Sequence, residues 1–338
     1  MRFKAISRQP LQGDYFSTQD GTIFTVIGSA HPSDSIISTP KHRQSEHTND
    51  PKTHHKFQSL VEAYEILKRT HPEFLVFDHI FDCEVCRVPR SEVSEYWQPE
   101  MRTRSLLATE NPDPIQKEAI ELLELFRSAC GIPLESIGIT GSLLPGVHSA
   151  DSDFDLIFYG ASICRRTYSR IGQLLDSNKG SLRRYLDVDL RRQFELQKRD
   201  TRWSFEDFSR CQVNRNLQGK FKERDFFLRM LRPPEIEEEA YGERIYSNVG
   251  RATITGVVTS DDDIIFTPCI YPLEKVKSQG SSLEISEVVS FRGRFCELVK
   301  KGESLLACGK IESVKSQGDI HFRLLVGSDP RDILVRAK

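Results

Sequence analysis

The stretch IGITGSLLPGVHSADSDFDLIFYG, Ile137 to Gly160, decides the reading of this chain. An apolar run ends in Gly141-Ser142, another glycine follows at Gly146, and Asp151, Asp153 and Asp155 alternate with other residues before a second apolar run. "SIGITGS" and "DFDLIFYG" read as two short strands. Residues two apart on a strand project to one side. Asp153 and Asp155 therefore share a face, while Phe154 and Leu156 turn toward a core. Two adjacent carboxylates repel each other unless a positive charge lies between them. Mg²⁺ meets that need, because it takes one or two carboxylates together with phosphate oxygens. Such an ion polarises a phosphoryl group and activates an attacking hydroxyl. The Gly-Ser turn adds backbone N–H groups and a hydroxyl beside the carboxylates, and glycine lets a phosphate approach the backbone closely. Anion-binding turn and metal-binding carboxylates together describe a nucleoside triphosphate site.

Other readings of the same residues fail on their own terms. A P-loop requires Gly-Lys-Ser or Gly-Lys-Thr, and "GSLLPGVHS" contains no lysine. A calcium loop requires glycine at its sixth position and glutamate at its twelfth. Counted from Asp151, those positions hold Leu156 and Ser162. A solvated turn leaves the Gly-Ser and the flanking strands unexplained.

The pattern Gly141-Ser142, Gly146, Ser152-Asp153-Phe154-Asp155-Leu156 resembles the nucleotidyltransferase superfamily of DNA polymerase β. The full chain is similar to a mainly archaeal branch of predicted nucleotidyltransferases, in which an N-terminal "HP" and a C-terminal "SFRGRFCE" recur. The resemblance implies Mg²⁺ or Mn²⁺ held by Asp153, Asp155 and a third carboxylate on a later strand followed by alternating apolar residues. Asp225, at the head of "DFFLRML", fits that description. Asp187 and Asp189 in "YLDVDLRR" are the alternatives, in a segment that reads more easily as an arginine-rich helix. Gly141, Ser142, Gly146 and Ser152 are then the nucleotide-binding residues for an NTP, ATP among the candidates. The implied reaction moves an NMP to a hydroxyl of RNA, protein or a small molecule and releases pyrophosphate. The alternative is a protein that holds a nucleotide or RNA on the same fold without turnover.

Composition bounds the partners. The formal net charge is -2, so no global basicity announces a nucleic acid. Residues 161–232 nevertheless hold eighteen Lys or Arg against nine acids. That stretch is expected to meet a triphosphate or an RNA backbone, or else to be a solvated helix face with internal ion pairs. No apolar run approaches the ~20 residues that span a bilayer, and no apolar leader opens the chain, so a cytoplasmic location with no membrane partner is expected. Cys83 and Cys86 form a single CxxC, half of a structural zinc site, and read as buried free thiols.

An α+β chain of three zones emerges. Residues 1–104 form an α+β region, with a hairpin turning at Gln19-Asp20-Gly21 and a helix in "FQSLVEAYEILKRTHPEF". Between them, 31–56 reads as a long polar loop carrying His42, His47, His54 and His55. Residues 105–232 form the nucleotidyltransferase domain, a short mixed sheet with helices. Its first helix opens at Asp113-Pro114 and closes at Gly131. Trp203, Phe205 and Phe208 read as core aromatics rather than a base-stacking platform. Residues 241–338 form a β-rich domain, a small antiparallel sheet or barrel. There Arg292 and Arg294 are expected on one side of a strand around Gly293, contacting phosphates or pairing with Glu287 or Glu297.

Overall fold

A computed structural model describes residues 8–44, 54–177, 180–198, 201–232 and 240–337. The chain is mixed α+β and divides into two compact units rather than three consecutive zones. The first comprises Met1–Val76, Glu84–Arg183 and Gln218–Glu238; the second comprises Phe77–Cys83, Arg184–Leu217 and Glu239–Lys338. No described helix is long and apolar enough to cross a membrane.

The N-terminal sheet contains β1 (Tyr15–Ser17), β2 (Ile23–Val26), β3 (Ser35–Gln44), β4 (His54–Lys56), β5 (Leu75–Asp78), β6 (Cys83–Pro89) and β7 (Glu95–Trp97). Its order is β5-β6-β3-β2-β1-β7, with β4 paired to β3. β1 and β2 form the expected hairpin, whose turn is tied by Thr18 and Thr22 hydroxyls donating to the Asp20 carboxylate. The expected long loop at 31–56 is corrected, because β3 and β4 occupy its two ends. β3 lies between β2 and β6, so its backbone is laddered on both sides even though its side chains are largely polar. His47 lies outside the described residues.

This sheet has two distinct faces. Phe16, Phe24, Val26 and Ile36 gather on one, with Leu67 of α1 (Leu60–Thr70) and Phe74. The helix starts where the Ser59 hydroxyl accepts from the Glu62 N–H. Tyr15 and Ile23 turn to the other face and pack on Leu144.

The second sheet of this unit contains β8 (Ile137–Thr140), β9 (Phe154–Tyr159), β10 (Leu182–Arg183), β11 (Gln218–Phe221) and β12 (Arg224–Leu231), in the order β10-β11-β12-β9-β8. It is mixed: β9 is antiparallel to β8 and parallel to β12. The helices of this unit continue as α2 (Pro99–Leu107), α3 (Pro114–Cys130) and α4 (Ala161–Asp176). α3 has the ends expected of it: Asp113 and Gln116 form a capping box, and Gly131 closes it at φ 60°. Phe154, Leu156 and Phe158 alternate on β9, and Phe226, Leu228 and Met230 on β12; all six are buried. Phe126 of α3 meets Phe158 and Phe226 edge-on at 6.0 and 5.9 Å. Each such burial contributes about 1.5–3 kcal/mol.

The opposite side of this sheet is fastened to the N-terminal segment. The Thr140 hydroxyl donates to the Gly13 carbonyl at 2.8 Å, and a Cβ at Gly13 would collide with Ile157. Asp14, fully buried, accepts two bonds from the Arg8 guanidinium at 2.6 and 2.8 Å and one from the Tyr96 hydroxyl at 2.7 Å. Arg8 also holds Glu100 of α2.

The second unit contains α5 (Asp187–Gln197), α6 (Phe205–Gln212) and the strands β13 (Arg244–Val258), β14 (Cys269–Gln279), β15 (Ile285–Ser290), β16 (Ser304–Ser316), β17 (Asp319–Leu325) and β18 (Ile333–Arg336). The order is β13-β14-β15-β17-β16-β18, and an added β13–β16 pairing closes five strands into a ring. The expectation of an antiparallel domain is corrected at one pair, because β15 and β17 run parallel. Arg215 and Glu297, both buried, bind α6's exit to this barrel, with Leu217 N–H donating to Glu297 at 2.8 Å. Trp203 and Phe208 are buried and pack together at 5.5 Å, as expected of core aromatics. Gly293–Phe295 is a single 3₁₀ turn, not a strand, and Arg294 donates to the Thr201 hydroxyl at 2.9 Å. Glu297 pairs with Arg215 at 3.2 Å.

Asp14→Ala removes one partner of a buried ion pair, leaving the Tyr96 hydroxyl without its acceptor and Arg8 with Glu100 as its remaining carboxylate. The variant is expected to lose about 3–5 kcal/mol, read as a lower urea midpoint for unfolding of the first unit.

Candidate functional site

Thr140 pairs with Asp155 across β8 and β9, so the chain turns at Gly141 directly beside that carboxylate. Gly141 has φ 65°, and a Cβ there would collide with Oδ2 of Asp155. The glycine is required twice, by backbone conformation and by the approach of the carboxylate. Gly146 has φ 78° with open space around it, so its requirement is conformational alone. The Ser142 hydroxyl donates to Ser152 Oγ at 3.0 Å, and Ser152 Oγ also accepts from the Ser149 N–H at 3.0 Å. The four residues expected at a nucleotide thus form one closed turn over the head of β9. Arg224 pins that turn from β12: it donates to the carbonyls of Ala150 at 2.7 Å and Ser152 at 3.0 Å and pairs with Glu118 at 3.1 Å.

Asp153 immediately precedes β9 and Asp155 lies on it. Burial pushes the Asp155 carboxyl up first, and the neighbouring Asp153 charge adds to it, so that it titrates at about 7. Lys56, Arg229 and Lys41 pull in the opposite direction without cancelling the rise. Tyr15 reports the same neighbourhood: burial raises its phenol, and the Asp155 and Asp153 charges raise it further.

Asp225 stands one residue before the ladder in which Phe227 matches Asp155, and shares the face of Phe227. Its carboxylate is paired with the buried Lys220 at 3.1 Å. Among the described residues no three His, Cys, Asp or Glu side chains come together closely enough to hold a metal ion. The alternatives sit on α5 in the second unit. Asp187 pairs with Arg191 at 2.8 Å, and Asp189 accepts from the Leu186 N–H at 2.9 Å. The pair Asp153 and Asp155 still suits Mg²⁺ or Mn²⁺, because such ions accept two carboxylates with phosphate oxygens completing the shell.

Sequence reasoning missed the contribution of the N-terminal sheet. Ile23 pairs with His42, and His42 with Lys56, which places both on the face that carries Tyr15. Lys41 is the extra residue of a bulge in β3, between the pairs Phe24–Pro40 and Ile23–His42. A cavity of about 320 Å³, lined by Thr22, Pro40, Arg43, Phe57 and Leu67 among others, opens toward α1, on the side where Phe24 packs. It is separate from the carboxylate pair. His42 is buried, and burial followed by the charges of Lys56 and Lys41 lowers its imidazole to about 3. In the CxxC, Cys83 is half-buried and Cys86 is a buried thiol beside the Ser38 hydroxyl, raised by burial to about 12.

An uncharacterised protein of Methanocaldococcus jannaschii is 25% identical over 327 residues, covering 93% of this chain and 94% of the relative. No family model matches the sequence. No solved structure matches it either.

The raised Asp155 carboxyl gives a signed pH dependence. The folded protein keeps this proton to a higher pH than the unfolded chain, so stability falls as pH rises from about 4 to 7. Thermal unfolding across that window is expected to show the fall in the wild type and a flatter profile in Asp155→Asn. Gly141→Ala is expected to cost at least about 1–3 kcal/mol through backbone strain alone, measured as a lower unfolding midpoint.

Proposed function

We propose that the first unit is a polymerase β-like nucleotidyltransferase domain that moves an NMP from an NTP to a hydroxyl acceptor. The observation that carries this reading is the carboxylate pair Asp153 and Asp155, lodged against Gly141 with the Asp155 carboxyl raised to about 7. Mg²⁺ or Mn²⁺, once bound, supplies charge neutralisation at the phosphoryl oxygens. Asp153 and Asp155 offer that ion their carboxylate oxygens, and the turn of Gly141, Ser142, Gly146 and Ser152 offers the phosphates a close approach. The acceptor oxygen forms a bond to the α-phosphorus while the bond to the bridging oxygen of pyrophosphate breaks, and the hydroxyl proton leaves to water.

The acceptor is a hydroxyl of RNA, protein or a small molecule. The basic stretch 161–232 lends RNA less weight than its composition suggested. It is divided between the two units, and many of its cations are held in ion pairs, Arg191 with Asp187, Arg215 with Glu297, Lys222 with Glu121 and Arg224 with Glu118 among them. A second reading, nucleotide binding without turnover, is favoured by one observation: Lys220 neutralises Asp225, the third carboxylate that the family resemblance asks for.

Incubation with each α-³²P-labelled NTP, Mg²⁺ or Mn²⁺ and total cellular RNA separates the two readings. Label is expected on RNA, on the protein or on a small product, and is expected to vanish in the Asp153→Asn/Asp155→Asn variant. Nucleotide binding with no transfer to any acceptor supports the binding protein. Absence of nucleotide binding overturns both.

A further inference from the structure

We propose that the polar face of the N-terminal sheet is the anion-binding wall of this site, where Lys56, Lys41 and His42 of the β3–β4 pair and Arg229 of β12 receive the terminal phosphates of a nucleoside triphosphate. The proposal rests on the nucleotidyltransferase reading and names residues from a part of the chain that the sequence motif does not reach.

Four observations converge. First, strand register puts Tyr15, Ile23, His42 and Lys56 on one face. That face packs on Leu144, two residues after Ser142 in the turn beside Asp155. Second, Arg229 matches Ile157 in the parallel ladder, two residues along from the Phe227–Asp155 pair, so its side chain leaves the sheet on the Asp155 side. Third, two buried nitrogens at this wall, Nη1 of Arg229 and Nδ1 of His42, have no hydrogen-bond partner among the described residues. A buried donor or acceptor without a partner is costly, and a bound ligand would recover that cost. Fourth, Lys56, Arg229 and Lys41 all lie near enough to Asp155 for their charges to act on it.

Charge balance favours a triphosphate. Two aspartates and one divalent cation cancel, which leaves the charges of Lys56 and Arg229 beside them for a further anion. A compact polyanion answers them. Guanidinium and ammonium groups both bind phosphate oxygens, the first in a planar fork and the second as a point charge. His42, held neutral by burial and by its basic neighbours, adds a hydrogen-bonding group without adding charge. An extended polynucleotide backbone fits less well, because two of the four groups present their free nitrogens from buried positions.

Isothermal titration with inorganic tripolyphosphate in Mg²⁺ tests the wall directly. The proteins are wild type, Lys56→Ala, Arg229→Gln and, as a control, Lys277→Ala at an exposed position on β14. Lys56 is itself exposed, so its substitution leaves the fold intact, which the unfolding midpoint verifies. Wild type and control are expected to bind equally. Lys56→Ala and Arg229→Gln are each expected to bind about tenfold more weakly, about 1.4 kcal/mol, with AMP affinity unchanged. Tripolyphosphate affinities equal in wild type and both site variants, or no binding by the wild type, overturn the wall. Loss of RNA retention in Lys56→Ala with tripolyphosphate binding intact overturns it in favour of a polynucleotide contact. Weakened tripolyphosphate binding without any labelled transfer keeps the wall and removes the transferase reading. Labelled transfer with an unchanged NTP KM in Lys56→Ala keeps the transferase and removes the wall.

Discussion

Two carboxylates two residues apart at the head of β9, one of them buried against Gly141, are the constraint on which the first unit turns. Asp155 can occupy its place only because residue 141 has no side chain, and Gly141 can turn there only because glycine tolerates its positive φ. β8 and β9 set the pairing that brings the two together. Arg224 then holds the carbonyls of the turn above Asp153, using a guanidinium that is itself fixed by Glu118 of α3. Burial raises Asp155 most, to about 7, and the Asp153 charge adds to it, so a cation beside the pair would favour the charged form.

The sheet that bears the pair meets the cost through its other face. Phe154, Leu156 and Phe158 interlock with Phe226, Leu228 and Met230 beneath Phe126, and that burial dominates the local stability. The polar side is fastened by a few specific contacts: Thr140 to Gly13, and the Arg8–Asp14–Tyr96 cluster beside them. The N-terminal sheet repeats the division, with phenylalanines toward α1 and Tyr15, His42 and Lys56 on the other side.

Local signals were legible in the sequence wherever period and punctuation agreed. The capping box and closing glycine of α3, the two strands around the Gly-Ser turn, and the alternation along β12 all follow from short-range rules. β3 and β4 were not legible, because these strands carry Ser, Thr, Lys and His in place of an apolar stripe, and a bulge at Lys41 breaks the two-residue period. Lys56 and Arg229 could not be joined to Asp155 from sequence, since only the three-dimensional pairing of distant strands brings them near one another. The partner of Asp225 was not legible for a related reason. Its position on the strand follows from alternation, but its neutralisation by Lys220 depends on the β11–β12 hairpin. The segment of α5 read correctly as a helix, while the tie between α6's exit and the barrel rests on Glu297, more than eighty residues after Arg215.

Connectivity has a consequence for biosynthesis. The two units are threaded through each other's sequence in six alternating segments. A chain leaving the ribosome from its N-terminus makes β8 and β9 early, yet the sheet lacks β12 until the intervening helices of the other unit have emerged. Those helices in turn wait for β13 to β18. The N-terminal sheet's core, Phe16 to Tyr96, is contiguous, but the sheet of β8 and β9 closes only once β12 has emerged, which leaves β8, β9 and the apolar face of α3 uncovered until then.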